Sequence, residues 1–154
     1  MTYTEGLRKA PQQRIAMDTP WAIRGPEESD IPFIYATWLN SNYTDTDFRR
    51  SVRKSVYFEA YKRIIDNILL SAKVSVACKS DTPSVIYGYL VTEGNVIHYS
   101  FVKDAFRSLG IAKSLYLHNF QQGQALECTH STGSTKGFLN RNITFNPFIL
   151  YKGI

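Results

Sequence analysis

Near Lys73 the spacing of the apolar residues changes from three-and-four to two, and that switch limits the folds open to the chain. From about Asp47 to Ala72, Val52, Val56, Tyr61, Ile64, Ile65, Ile68 and Leu69 recur at helical spacing and predict one helix, with a phase shift invited at Val56, Tyr57 and Phe58. Beyond Lys73, Val74, Val76 and Cys78 alternate with smaller residues. The runs Val85–Val91 and Val96–Val102 then follow across turns at Ser80–Pro83 and Glu93–Asn95, which reads as an antiparallel meander. Upstream, Trp21–Arg24 is a strand closed by Gly25 and Pro26. Glu27–Asp30 offers cap chemistry for a helix from Ile31 to Leu39 that ends near Asn40–Asn42, with Pro32 in its first turn. Downstream, a helix runs from Gly110 to before Gly123 through Ile111, Leu115, Leu117, His118 and Phe120. Ala125–His130 reads as a strand, Thr132–Gly137 as a short helix, and Ile143–Tyr151 as the last strand. This order defines a mixed α/β (α+β) chain.

Bulk composition fits one folded unit. The 154 residues are 44% hydrophobic and 20% charged, enough for a proper core. Residues 1–18 are polar and irregular and read as a lead-in, with a single domain over 19–154. No apolar run approaches the ~20 residues of a membrane-spanning helix. The first ten residues lack the apolar block of a secretory signal, so a cytoplasmic location is expected. Cys78 and Cys128 read as reduced core thiols rather than a disulfide framework. The formal charge of +5 favours anionic partners, and Arg49, Arg50, Arg53 and Lys54 form a local basic cluster.

One junction carries chemistry. Arg107-Ser108-Leu109-Gly110-Ile111-Ala112 links the third meander strand to the next helix. Gly110 gives the turn its backbone freedom, and small Ala112 avoids crowding a ligand. The first N–H groups of the helix have no internal partner and favour an anion. In these residues the chain resembles the GNAT N-acetyltransferase superfamily, which shows Arg/Gln-x-x-Gly-x-Gly/Ala here, after a strand ending in an apolar residue five positions earlier. That residue is Val102. The element order from about Trp21 to Tyr151 is similar as well. The resemblance implies a GNAT-like, mostly antiparallel central sheet flanked by helices, with a splayed pair of parallel strands, Val96–Val102 and Ala125–His130. It further implies that acetyl-CoA is the cosubstrate. Its pyrophosphate would lie on the backbone N–H groups of Arg107, Ser108, Leu109, Gly110, Ile111 and Ala112, with Lys113 or Ser114, and its pantetheine arm beside the backbone of Phe101 and Val102.

The reaction implied is direct attack of an amine, on a small molecule or a protein, on the thioester. An amine of pKa near 10.4 is neutral in only about one molecule in 2,500 at pH 7, so deprotonation costs about 4.6 kcal/mol. His98, nine residues before Arg107, is the candidate general base, since arylalkylamine N-acetyltransferases resemble this chain at that offset. The alternative is a structural histidine among aromatic neighbours. Glu93 is a weaker candidate. Cys128 and His130, at i and i+2, are expected on one strand face, but no further ligands complete a metal site, so no metal is expected. The family's tyrosine acid is missing from Ser131–Arg141, where Phe138 is the aromatic residue, leaving Tyr116, Tyr151 or Ser131 to serve.

Other functions stay open at this point. One is a non-catalytic acyl-CoA-binding or protein-interaction module on the same fold. Nucleic acid is not expected, because Asp45, Asp47 and Glu59 dilute the basic cluster. Phe33, Tyr35, Trp38, Tyr57 and Tyr61 shape either an apolar pocket or the core. The acceptor and the oligomeric state, a homodimer included, are not legible.

Overall fold

The computed structural model describes residues 20–131 and 142–151. A six-stranded sheet runs in chain order: β1 (Trp21–Arg24), β2 (Lys73–Lys79), β3 (Thr82–Glu93), β4 (Val96–Val102), β5 (Leu126–Cys128) and β6 (Ile143–Phe145). The first three pairings are antiparallel, while β4–β5 and β5–β6 are parallel. Helices α1 (Ile31–Asp45), α2 (Phe48–Ser51) and α3 (Lys54–Leu69) precede the meander, and α4 (Ile111–Asn119) follows β4.

The sheet divides the core in two. One face packs Ile34 and Trp38 of α1 and Tyr57, Tyr61, Ile65 and Ile68 of α3 on Val76, Tyr89, Val91 and Tyr99. The other packs Ile111, Leu115 and Tyr116 of α4 on Leu90, Ile97, Val102, Leu126 and Cys128. Arg24, at the end of β1, donates to both Asp30 carboxylate oxygens at 2.7 and 3.0 Å and pins the start of α1 to the sheet. Burial pushes the Asp30 carboxyl up, but the Arg24 bonds and charge and the Glu27 backbone outweigh it and leave it lowered.

Several boundaries differ from the sequence reading. Helix α1 continues to Asp45 instead of stopping near Asn42, because its polar side chains bond back along the helix. Asn40 donates to the Ala36 carbonyl at 2.7 Å and Ser41 to that of Thr37 at 2.6 Å, while Asn42 donates to the Tyr57 hydroxyl at 3.1 Å. The single helix expected over 47–72 is broken at Val52 and Arg53, both extended, where the Val52 carbonyl accepts from Tyr43 at 2.9 Å. After that break the buried stripe starts from Tyr57, and Val56 is exposed.

The final strand stops at Phe145, and Pro147–Tyr151 is a 3-10 helix rather than more strand. Strand β5 ends at Cys128, so the alternation expected through His130 fails: Cys128 packs on the α4 side, His130 against Trp38, Tyr61 and Tyr99. The lead-in, the short helix expected over Thr132–Gly137, and Phe138 lie outside the described residues.

Candidate active site

The junction between β4 and α4 is built by backbone conformation. A 3-10 turn over Asp104–Phe106 leads into Arg107, and Ser108 and Gly110 both take positive φ, 66° and 95°. A positive φ outside glycine is uncommon and costs about 1–2 kcal/mol. A Cβ on Gly110 would meet no atom within 4 Å, so the glycine answers the left-handed backbone and not crowding.

Gly110 is the N-cap of α4, and no side chain caps it. The first bond of this turn is Ser114 N–H to the Gly110 carbonyl at 2.9 Å. The N–H groups of Gly110, Ile111, Ala112 and Lys113 therefore have no partner within the helix, at the positive end of its dipole. Ile111 is buried and anchors the turn, while Gly110 and Lys113 face solvent. Such a cradle fits a pyrophosphate. The Arg107 side chain is engaged within the loop: its Nε donates to the Val102 carbonyl at 2.8 Å and its Nη1 pairs with Asp104 at 2.8 Å. It braces the loop against β4.

Beyond this turn the sheet opens. The β4–β5 register holds only Val96↔Glu127 and Ile97↔Cys128, extended by Thr129 N–H to the Ile97 carbonyl at 3.1 Å. The register thus ends before Phe101 and Val102, and this is the expected splay. Gly88 of β3 lies on the other side of Val102, and a Cβ there would stand 2.5 Å from the Phe101 carbonyl oxygen. Only glycine permits that approach.

His98 lies at the base of the splay. The β3–β4 register passes from Val91↔Tyr99 to Thr92↔Ile97, which leaves His98 as the extra residue of a bulge. The ring is buried, 2% exposed, with Nε2 3.0 Å from Glu93 Oε1 and Nδ1 3.1 Å from Thr129 Oγ1. Ser71 donates to the other Glu93 oxygen at 2.9 Å. Thr129 Oγ1 lies 2.8 Å from His130 Nδ1, and His130 Nε2 lies 2.6 Å from the Tyr61 hydroxyl. Burial, and then the neighbouring His98, pull the His130 imidazole down to about 3, so it is neutral. Burial likewise raises the Tyr61 phenol.

Glu93, His98 and Ser71 line a cavity of about 240 Å³ with Asn67 and the apolar Ile64 and Ile68 of α3. That is smaller than the ~300–1,000 Å³ of pockets for drug-sized ligands. Glu93 and His98, both candidates in the sequence, meet in the fold, while Thr129, His130 and Tyr61 were not read there as their partners. No local spacing signals a contact across a parallel strand pair. Of the aromatic residues at helical spacing, Trp38, Tyr57 and Tyr61 are buried in the core, and Phe33 and Tyr35 pack against it partly buried. Burial raises both cysteine thiols, and neither belongs to this cluster. Among the described residues no group of acidic, histidine and cysteine side chains is arranged to hold a metal. No helix among them is long and apolar enough to cross a membrane.

No family model matches the sequence, and no curated protein matches it significantly. Solved structures do. A GCN5-related N-acetyltransferase from Rhodopseudomonas palustris is 16% identical over 82% of both chains, with a TM-score of 0.55. The histone acetyltransferase HPA2 and related acetyltransferase from Corynebacterium glutamicum is 13% identical over 79% of this chain and 83% of that one, at 0.53. The apo-form of YjaB from Escherichia coli is 19% identical, but the match spans 64% of this chain and 63% of that one, at 0.48. The chain has the GNAT acetyltransferase fold.

Proposed function

We propose that this chain transfers the acetyl group of acetyl-CoA to an amine. The observation that carries the reading is the uncapped start of α4, entered through left-handed Ser108 and Gly110 beside the open edge of β4. Solved structures of the same fold bear acetyltransferase names, which supports it. The pyrophosphate would take the N–H groups of Gly110–Lys113, each such contact contributing roughly 0.3–1 kcal/mol. Lys113 and Ser114 stand beside it. The pantetheine arm would lie along β4 at Phe101 and Val102, and acetyl-CoA supplies the thioester.

His98 and Glu93 would receive the amine proton. The carboxylate, 29% exposed, and the bonded ring both line the cavity. The cavity's size and its mixture of apolar walls with Glu93, Ser71 and Asn67 suit a small primary amine with a short apolar arm. A thiolate is a far weaker base than an alkoxide or an amide anion, so it leaves tolerably without a general acid. Release of free thiol from acetyl-CoA with a panel of primary amines tests the proposal. Amine-dependent release is expected; its absence across the panel, with acetyl-CoA still bound, favours a non-catalytic acyl-CoA-binding module instead.

A further inference from the structure

A single file of hydrogen bonds crosses the interior from Glu93 through His98, Thr129 and His130 to Tyr61, with separations of 3.0, 3.1, 2.8 and 2.6 Å. It joins β3, β4, the end of β5 and α3, and its two rings and the threonine are buried. Each bond needs one hydrogen, so the groups fix one another's protonation.

An ionised carboxylate only accepts, so His98 must carry its hydrogen on Nε2, toward Glu93. In the neutral ring Nδ1 is then an acceptor, and the Thr129 hydroxyl donates to it. Thr129 oxygen accepts in turn from His130 Nδ1–H, and His130 Nε2 accepts from the Tyr61 hydroxyl. Charging His98 puts a second hydrogen on Nδ1, which must now donate to the Thr129 oxygen. The hydroxyl hydrogen needs another acceptor, and one is in reach: the His98 carbonyl, 3.3 Å from Thr129 Oγ1. One proton is gained at Nδ1, one O–H turns, and His130 and Tyr61 keep their hydrogens.

We propose that Thr129 is a hydroxyl switch, held by His130 and Tyr61, that fixes the tautomer of buried His98 and lets its ring gain and lose a proton. Thr129 and His130 are thus positioning residues acting through His98. Their effect on catalysis rests on the acyl-transfer reading, whereas the tautomers do not. Glu93, His130, Tyr61 and Tyr99, whose ring lies 5.4 Å from that of His130, are titratable groups around this file.

Nitrogen-15 NMR of histidine-labelled full-length chain, titrated from pH 5 to 9, tests this. Wild type is expected to show neutral His98 as the Nε2–H form and His130 as the Nδ1–H form throughout. Thr129→Val removes both roles of the hydroxyl. It should convert His130 toward the Nε2–H form and lower the His98 midpoint by about one pH unit, because a bond to the charged ring is the stronger one lost. Thr129→Ser should restore both, and the acidic limb of kcat/KM should move with the midpoint. Wild-type spectra with His98 as Nδ1–H or His130 as Nε2–H overturn the proposal, as does a valine variant with unchanged tautomers and midpoint. The wild-type spectra decide the tautomers even where the valine variant does not fold. Because the spectra require no substrate, failure of acyl transfer and failure of the switch read out separately.

Discussion

His98 and Tyr99 are adjacent in sequence, yet both side chains lie on the α1–α3 side of the sheet. Regular alternation from Ile97, on the α4 side, would keep His98 on the α1–α3 side but return Tyr99 to the layer of Leu115 and Leu126. The bulge at His98 cancels one step of the pleat. Tyr99 is then free to stack on Trp38 at 4.8 Å, while His98 reaches Glu93 and the cavity beside α3.

If the ring is the proton acceptor, His98→Ala should lower kcat/KM for the amine by about 10²–10⁴-fold, the usual contribution of a positioned base. Affinity for acetyl-CoA, measured by calorimetry, should stay within about twofold on this account, because α4 is untouched. Equal losses in both would place His98 in the scaffold instead.

Gly110→Ala tests the proposed cofactor role of the turn before α4. A side chain at φ 95° is strained whatever the space around it, so the variant should lose about 1–2 kcal/mol of stability in urea unfolding. The apparent Kd for acetyl-CoA should rise, since the four free N–H groups depend on that conformation. Unchanged affinity at reduced stability would remove the turn from the cofactor site.

The β4 edge depends on Gly88. Alanine there would set its Cβ 2.5 Å from the Phe101 carbonyl oxygen, backbone that cannot step aside cheaply. Overpacking of this kind costs about 1–3 kcal/mol. The lower Tm should be accompanied by shifted amide resonances at Phe101 and Val102. A variant as stable as the parent would show that β3 and β4 can part here without cost.

Stability should also fall in mild acid. Unfolded His130 binds a proton below its ordinary value near 6.5, but in the fold only below about 3. Between these values the unfolded chain holds the extra proton, so stability drops as pH falls, with a limiting slope of about 1.4 kcal/mol per pH unit. The lowered Asp30 carboxyl adds its loss only below 3.8. Urea midpoints at pH 7, 5.5 and 4.5 should show the trend, and His130→Asn should flatten it. An unaltered slope in that variant would assign the acid sensitivity elsewhere.

Local signals made the left-handed turn before α4 and the meander legible in the sequence. Gly110 before an apolar helix, and Gly94 between two alternating runs, each declare their geometry within a few residues. What failed to show was set by tertiary contact. The bulge at His98 is a matter of register between β3 and β4, and nothing in residues 96–102 marks it. Thr129 and His130 meet His98 only because β5 pairs with β4 for two residues and then departs. Helix α1 outran its expected end because Asn42, a polar residue that usually closes helices, is buried against Tyr57.

Acetyl-CoA is expected to bind along β4 and on the start of α4. The most direct test is an amide NMR titration of the full chain with acetyl-CoA, coenzyme A serving as a second ligand. Saturable shifts are expected at Phe101, Val102 and Ser108–Ser114, with the largest at Gly110–Lys113. No shifts at millimolar ligand, or shifts confined to residues away from β4 and α4, would contradict it.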